Sequence, residues 1–197
     1  MAEQDAGGSG AGAGIVVWHV TMSLDGYIAG PGDDIDWVFE HSGPSPASQE
    51  VANRTGALLV GRRSYYVGRC DEHVGETSAP YGGSWQGPHF VLSHQEPDPY
   101  EDGDATFVQG PLASALNAAV EAAGGGDVVV IGATVAKGCI DEGLLDEIVV
   151  HIAPVLLGDG VRLLEGAAGA VELERIGAAV SGQLTDLRYR VVGPSRA

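Results

Sequence analysis

Cysteine is scarce in this 197-residue chain, which holds Cys70 and Cys139 alone. Two cysteines make no disulfide framework, and a reduced, cytoplasmic setting is expected. Basic residues are few as well: ten Lys plus Arg stand against twenty-seven Asp plus Glu, a formal net charge of -17. That deficit argues against nucleic-acid and anionic-membrane partners, which need basic patches to neutralise phosphate. A local cluster of cations could still hold one small anion. No apolar run approaches the roughly eighteen residues of a membrane helix. The opening "MAEQDAGGSGAGAG" has neither the basic stretch nor the apolar stretch of a secretory signal. Residues 1–14 read as a flexible Gly/Ala-rich tail, and 15–197 as a single domain.

Several catalytic signatures are missing too. No GxGxxG follows a strand, no GxSxG is present, and no Lys stands in P-loop spacing, which excludes a Rossmann site, a serine-hydrolase elbow and an NTPase. The six histidines show no HExxH or CxxC companion spacing, so no metal site is expected. Two of them, His19 and His151, lie inside apolar runs and read as hydrogen-bonded core imidazoles.

What is present is a series of short, unbroken apolar runs: "IVVWHV" (15–20), "ALLVG" (57–61), "HFVLS" (89–93), "ATFVQ" (105–109), "DVVVIG" (127–132) and "EIVVHI" (147–152). Runs without polar alternation suit strands covered on both faces, as in mainly parallel sheets. Helical patterns lie between them. Residues 45–56 open on Ser-Pro and stop at Gly56; Pro111 opens another helix that ends in three glycines; a third follows "VVVIG", with Thr134 as its expected N-cap. The tail end alternates, "AVELERIGAAV" and "QLTDLRYRVV" flanking "SGQ", which predicts an antiparallel hairpin. The expected class is α/β: a doubly wound, mixed but mainly parallel sheet with helices on both faces and a C-terminal hairpin. Residues 71–88 form a long glycine-rich loop of the kind that is commonly functional.

Four strand ends carry polar or glycine signals, and in open α/β sheets ligands bind at such ends. "SLDGYIAG" delivers Asp25 and Gly26 into either a plain Asp-Gly turn or an active-site rim. In "LLVGRRSYY", Gly61, Arg62, Arg63 and Ser64 open a helix, either as a phosphate site or as a solvated helix start. Four of the ten basic residues fall between Arg54 and Arg69, which favours the former. Ser93 and His94 leave another strand and suit a ribose phosphate, or merely a surface turn. Gly132, Ala133, Thr134 and Val135 open a helix after a buried strand, where backbone could approach a pyrophosphate.

With these motifs, and with "DIDWVFEH" and "GLLDEIVVHIAPVLLGDGVRLLEG" in order, the chain resembles the dihydrofolate reductase-like superfamily. Within it, the chain is similar to the bacterial branch related to the C-terminal reductase domain of riboflavin-biosynthesis deaminase-reductase proteins. The resemblance implies a cytoplasmic NADPH-dependent reductase, commonly a homodimer, that transfers hydride to a C=N or C=O of a small heteroaromatic substrate. The substrate would be pyrimidine- or pterin-like, or a specialised metabolite. The alternative is a nucleotide-binding module of the same fold without turnover. Cofactor contacts are then implied at Gly61, Arg62, Arg63, Ser64, Ser93, His94, Gly132, Ala133, Thr134 and Val135, with Asp25 and Gly26 in a loop over the nicotinamide.

The departures shape the expected chemistry. Ala133 stands where the family carries a second glycine, and its methyl is expected to crowd the pyrophosphate. Val150 replaces the Thr that supports pterin recognition, and Tyr27 replaces a cation that serves phosphorylated substrates. Asp25 is the first candidate for the proton-handling group, with a pKa raised by desolvation; Asp36 and Asp34, just before Trp37, come second. Tyr27 and Trp37 are candidates for stacking on substrate or nicotinamide.

Overall fold

The computed structural model describes residues 14–41, 43–67, 80–95, 105–166 and 169–194. The tail as far as residue 13, Cys70, Arg69 and residues 71–79 of the glycine-rich loop lie outside the described residues. Strands β1 (Val16–Ser23), β3 (Thr55–Gly61), β4 (His89–Ser93), β5 (Ala105–Gln109), β6 (Asp127–Ile131) and β7 (Glu147–Ala153) coincide with the six apolar runs to within a few residues. They join β9 (Val171–Ser181) and β10 (Leu184–Pro194) in one eight-stranded sheet of order β5-β4-β3-β6-β1-β7-β10-β9. Every pairing from β5 to β7 is parallel, and β10 runs antiparallel to both β7 and β9. The short strands β2 (Tyr27–Ala29) and β8 (Val161–Arg162) form a separate antiparallel pair.

The uniform apolar runs are explained by helices on both faces. Val16, Trp18, Ala57, Leu59, Val128, Val130, Ile148 and Val150 pack against helices α4 (Leu112–Ala122) and α5 (Ala133–Asp141). Val17, Leu58, Val60, Val91, Val129 and Val149 face helices α2 (Pro46–Arg54) and α3 (Arg62–Val67) through Val51 and Tyr65. Full burial of such a side chain contributes about 1.5–3 kcal/mol, so removing either helical layer would leave half the sheet's apolar surface wet. A third, smaller cluster joins Trp37 of helix α1 (Asp36–His41) to Ala153 and Leu184.

Two helix boundaries differ from the sequence reading. Helix α2 stops at Arg54, two residues early, because Thr55 caps it and donates its hydroxyl to the Val51 carbonyl at 2.7 Å. Gly56 is a strand residue lying against α4: a methyl there would meet the Ala123 oxygen at 2.4 Å. Helix α5 starts at Ala133 with Gly132, not Thr134, as its N-cap.

Candidate functional site

The turn after β1 is held by a polar clasp. Ser23 donates to Asp25 Oδ1 at 2.6 Å, and the amides of Leu157 and Gly158 reach the same carboxylate at 3.1 and 2.7 Å. Ser23 Oγ in turn accepts the Tyr27 amide at 2.9 Å, and the Tyr27 hydroxyl donates to the Gly158 carbonyl at 3.2 Å. The hydroxyl of Ser23 and then the two amides hold the Asp25 carboxyl down at about 2. This corrects the expected raised value: Asp25 is a fixed anion that joins the β1–β2 turn to the segment after β7. Gly160, at φ +130°, completes the junction, since a methyl there would meet the Ala29 oxygen at 2.1 Å.

Beside the clasp opens a cleft of about 600 Å³. Its walls are the Gly30–Gly32 segment, the start of α5 at Ala133 and Thr134, and the segment from Asp159 to Arg162. Three cations line it, Arg63, Lys137 and Arg162, together with Asp159 and Glu165. Of the chain's ten Lys plus Arg, three thus meet at this one cleft. Arg63 is braced by Asp33 at 2.6 Å, Lys137 pairs with Asp141 one turn along α5, and the Arg162 guanidinium lies 4.9 Å over the Tyr27 ring.

Where β6 passes into α5, at the edge of the cleft, the backbone is tightly packed. Gly132 adopts φ +101°, a conformation that L side chains avoid, and a methyl on it would meet Ser64 Oγ at 2.5 Å. A methyl on its neighbour Gly61 would lie 3.2 Å from the Val135 side chain, so Gly61, Ser64, Gly132 and Val135 form one contiguous patch where β3 and β6 end. Among the described residues no side chain caps α5, whose first amides have no partner within the helix. Ala133 is the first helical residue and lines the cleft; the conformation requiring glycine falls on Gly132, not on it. The Val135 side chain is buried in the core, so its contribution to a ligand is its amide.

The two arginines of "GRRS" diverge. Arg63 faces the cleft, whereas Arg62 Nη1 donates to Ser93 Oγ at 3.3 Å and its guanidinium lies 4.8 Å over the Tyr66 ring. Ser93 is buried and also donates to the Gln95 carbonyl at 2.7 Å, while His94 beside it is exposed. Arg62 and the ends of β3 and β4 are thus brought together. Arg54, counted in the sequence with the same cluster, is elsewhere: it forms a bidentate pair with Asp127 at 2.7 and 3.1 Å, where β6 begins.

The remaining substrate-side expectations change. Trp37 is buried, donates its indole N–H to the Asp34 carbonyl at 3.2 Å and packs on Ala153 and Leu184; it is core, not a stacking platform. Tyr27 is also buried, with its ring face covered by Arg162. Asp34 and Asp36 are exposed and do not line the cleft; the Asp34 carboxylate accepts the Asp36 amide at 2.9 Å. Val150 is buried on the α4–α5 face. Sequence reasoning missed Arg162, whose place at the cleft follows from the β2–β8 pairing that sets Tyr27 opposite it, and Lys137, which the first turns of α5 carry there. The "LLGDGVR" motif carried the signal.

Comparison with known proteins agrees with this fold. The pattern of the RibD C-terminal domain matches residues 15–184. The Bacillus subtilis (strain 168) protein YwjB, itself uncharacterized, is 27% identical over 175 residues, spanning 88% of this chain and 95% of that one. A crystal structure of a candidate riboflavin biosynthesis protein from Shewanella sp. PV-4 superposes with a TM-score of 0.71 at 27% identity, covering 90% of this chain and 98% of the other. Dihydrofolate reductase from Enterococcus faecalis, complexed with NADP(H), superposes with a TM-score of 0.58 at 14% identity, covering 92% and 98%. The fold is therefore dihydrofolate reductase-like.

Proposed function

The chain belongs to the RibD C-terminal domain family, and from that premise we propose that it is an NADPH-dependent reductase of a small heteroaromatic substrate. The observation that carries this reading is the Gly132 turn, at φ +101°, opening an uncapped helix into a cleft lined by Arg63, Lys137 and Arg162. Bound there, a reduced nicotinamide dinucleotide supplies hydride to a C=N or C=O carbon.

The protein's part is to place and to polarise. The amides of Ala133, Thr134 and Val135 at the start of α5 hold the pyrophosphate, with Gly61 and Ser64 alongside, and Arg63 adds a guanidinium. Arg62, with Ser93 and His94, takes the ribose phosphate at the far end of the same row of strand ends. Asp25 and Gly26 fix the rim of the cleft rather than donate a proton. The protein works in the cytoplasm as a homodimer.

A nucleotide thermal-shift panel tests this reading. NADPH at 100-fold its Kd stabilises a binding protein by about 2.7 kcal/mol, which raises Tm by roughly 5–10 °C in a domain of this size. No shift with NADPH, NADH, FMN or a deazaflavin would remove the reductase. A second reading, a nucleotide-binding module without turnover, is favoured by one observation: the Asp25 carboxyl, tied by three hydrogen bonds, has no proton to give near neutrality. NADPH binding without oxidation by any carbonyl or imine compound would select it.

A further inference from the structure

Arg162 stands apart from the other cations of the cleft. Arg63 is held through two bonds by Asp33, at 2.5 and 2.6 Å, and Lys137 by Asp141. Among the described residues Arg162 forms no ion pair. Its guanidinium lies 4.9 Å over the Tyr27 ring instead. An aromatic face fixes a guanidinium without neutralising it. The cleft wall therefore carries one positive charge that is positioned but not paired.

The platform beneath that charge is fixed on both strands. Tyr27 is buried, its amide donates to Ser23 Oγ at 2.9 Å, and its hydroxyl donates to the Gly158 carbonyl at 3.2 Å. Opposite it, the backbone is held on either side of Arg162. A methyl on Gly160 would meet the Ala29 oxygen at 2.1 Å, and the Leu163 amide donates to the Gly26 carbonyl at 2.9 Å. The chain then reaches α5, where a methyl on Gly166 would lie 3.9 Å from Lys137 Cε. A cation carried on so constrained a ribbon loses little freedom when it binds. By resemblance a cation is expected at position 27. The β2–β8 pairing supplies one there from residue 162.

The surrounding charges set the kind of anion this cation can take. Asp159, whose carboxylate accepts the Gly160 amide at 2.8 Å, and Glu165 line the same cleft, and both are exposed. In the reductase reading the α5 amides and Arg63 serve the pyrophosphate. A planar carboxylate accepts two N–H groups from one guanidinium and is neutralised by it. A phosphate ester brings a second negative charge, which would find Lys137 already paired and two carboxylates in the same cleft. The buried polar cluster under α2 does not line the cleft and satisfies itself. His151 Nδ1 is 2.6 Å from Asp186 Oδ1, His151 Nε2 is 2.7 Å from His19 Nε2, and Asp186 Oδ2 accepts from Ser45 and Ser181.

We propose that Arg162 is a specificity-determining residue, and that the substrate it selects is a heteroaromatic carboxylic acid bound as its monoanion, not a phosphate ester. The inference rests on the reductase reading. Arg162 binds the carboxylate through its N–H fork while Tyr27 holds the guanidinium from behind.

The test compares molecules of equal shape and different charge. Uracil-6-carboxylate and pyridine-2-carboxylate, each beside its own carboxamide, and ribose 5-phosphate are titrated calorimetrically into the protein with and without NADP+. At least one carboxylate should bind about tenfold more tightly than its amide, and Arg162→Ala should erase that difference. Arg162→Lys, which keeps the charge and loses the fork, should restore only part of it. Arg175→Ala, which removes an exposed cation of β9 outside the cleft, should leave it intact. With NADPH and a panel of heteroaromatic acids, Arg162→Ala should raise KM about tenfold and change kcat little. Equal binding of every acid and its amide by the wild type overturns the inference, and so does a preference that survives Arg162→Ala. Tighter binding of ribose 5-phosphate than of either carboxylate overturns it too. A loss of NADPH affinity in Arg162→Ala as large as that in Arg63→Ala would assign Arg162 to the cofactor and overturn it as well. Absent NADPH binding by the wild type refutes the reductase, while the titrations without nucleotide decide the carboxylate preference separately.

Discussion

The Asp25 carboxylate and the Gly158 amide stand 2.7 Å apart, joining two turns separated by 133 residues of sequence. Asp25→Ala removes the acceptor for Ser23, Leu157 and Gly158 together. The Gly158 amide should then exchange with solvent about tenfold faster, measured by hydrogen exchange. Because folding lowers this carboxyl from 3.8 to about 2, its contribution is complete above pH 4 and is lost as pH falls through 2. Asp25→Ala should therefore narrow the Tm difference between pH 5 and pH 2. An unchanged exchange rate would show that the clasp carries nothing.

Gly132→Ala forces a Cβ onto φ +101° and against Ser64 Oγ. It should lower stability by about 1–3 kcal/mol and weaken NADPH binding at least as strongly. Chemical denaturation and calorimetric titration measure the two effects. Retained affinity in a folded variant would mean that the dinucleotide does not use this turn.

The cleft cations should act unequally. Arg63→Ala should raise the Kd for NADPH about tenfold, and added salt should shrink that difference. Arg162→Ala, which uncovers the Tyr27 ring, should cost about 0.5–1 kcal/mol of stability as well. Equal losses for NADPH and for its uncharged nicotinamide fragment would refute an anion-binding role.

Acid should unfold the protein through His19. Between its ordinary 6.5 and its folded value of about 3, the unfolded imidazole holds a proton that the folded one refuses. Unfolding takes up protons in that window, so stability falls as pH drops, by up to about 1.4 kcal/mol per pH unit. His19→Gln should flatten the Tm profile between pH 4 and 6.5; an identical slope would assign the acid sensitivity elsewhere.

The hairpin edge should mediate self-association. Val180, opposite Thr185 near the hairpin turn, is 77% exposed, and Val192 and Leu173 are exposed toward the other end of the hairpin. Val180→Asp should shift a dimer toward monomer in sedimentation velocity, and a wild type that sediments as a monomer would refute the homodimer.

The parallel strands were legible because burial on both faces writes itself as unbroken apolar runs, whichever strand pairs with which. The hairpin was legible from alternation. What was hidden depends on contacts distant in sequence. Nothing near Gly56 says that the Ala123 carbonyl occupies the space its side chain would need. "SLDG" reads as a possible rim acid because its two amide partners lie more than 130 residues away. Trp37 follows two acids as a substrate residue would, yet Ala153 and Leu184 bury it. The Gly132 turn was legible, since a glycine at a strand end followed by a helix is a local device. His19 and His151 were readable as core imidazoles, but the Nε2 pairing between them follows from strand register.

Gly160 has a bearing on how this cleft can change over evolutionary time. With 2.1 Å between its missing methyl and the Ala29 oxygen, any other residue must push β8 away from β2 and carry Arg162 outward. Drift at the neighbouring lining positions alters what the cleft recognises, whereas drift at 160 alters its width. A chain that keeps glycine there, in step with an acid at 25, is one in which new substrate preferences can arise without rebuilding the rim.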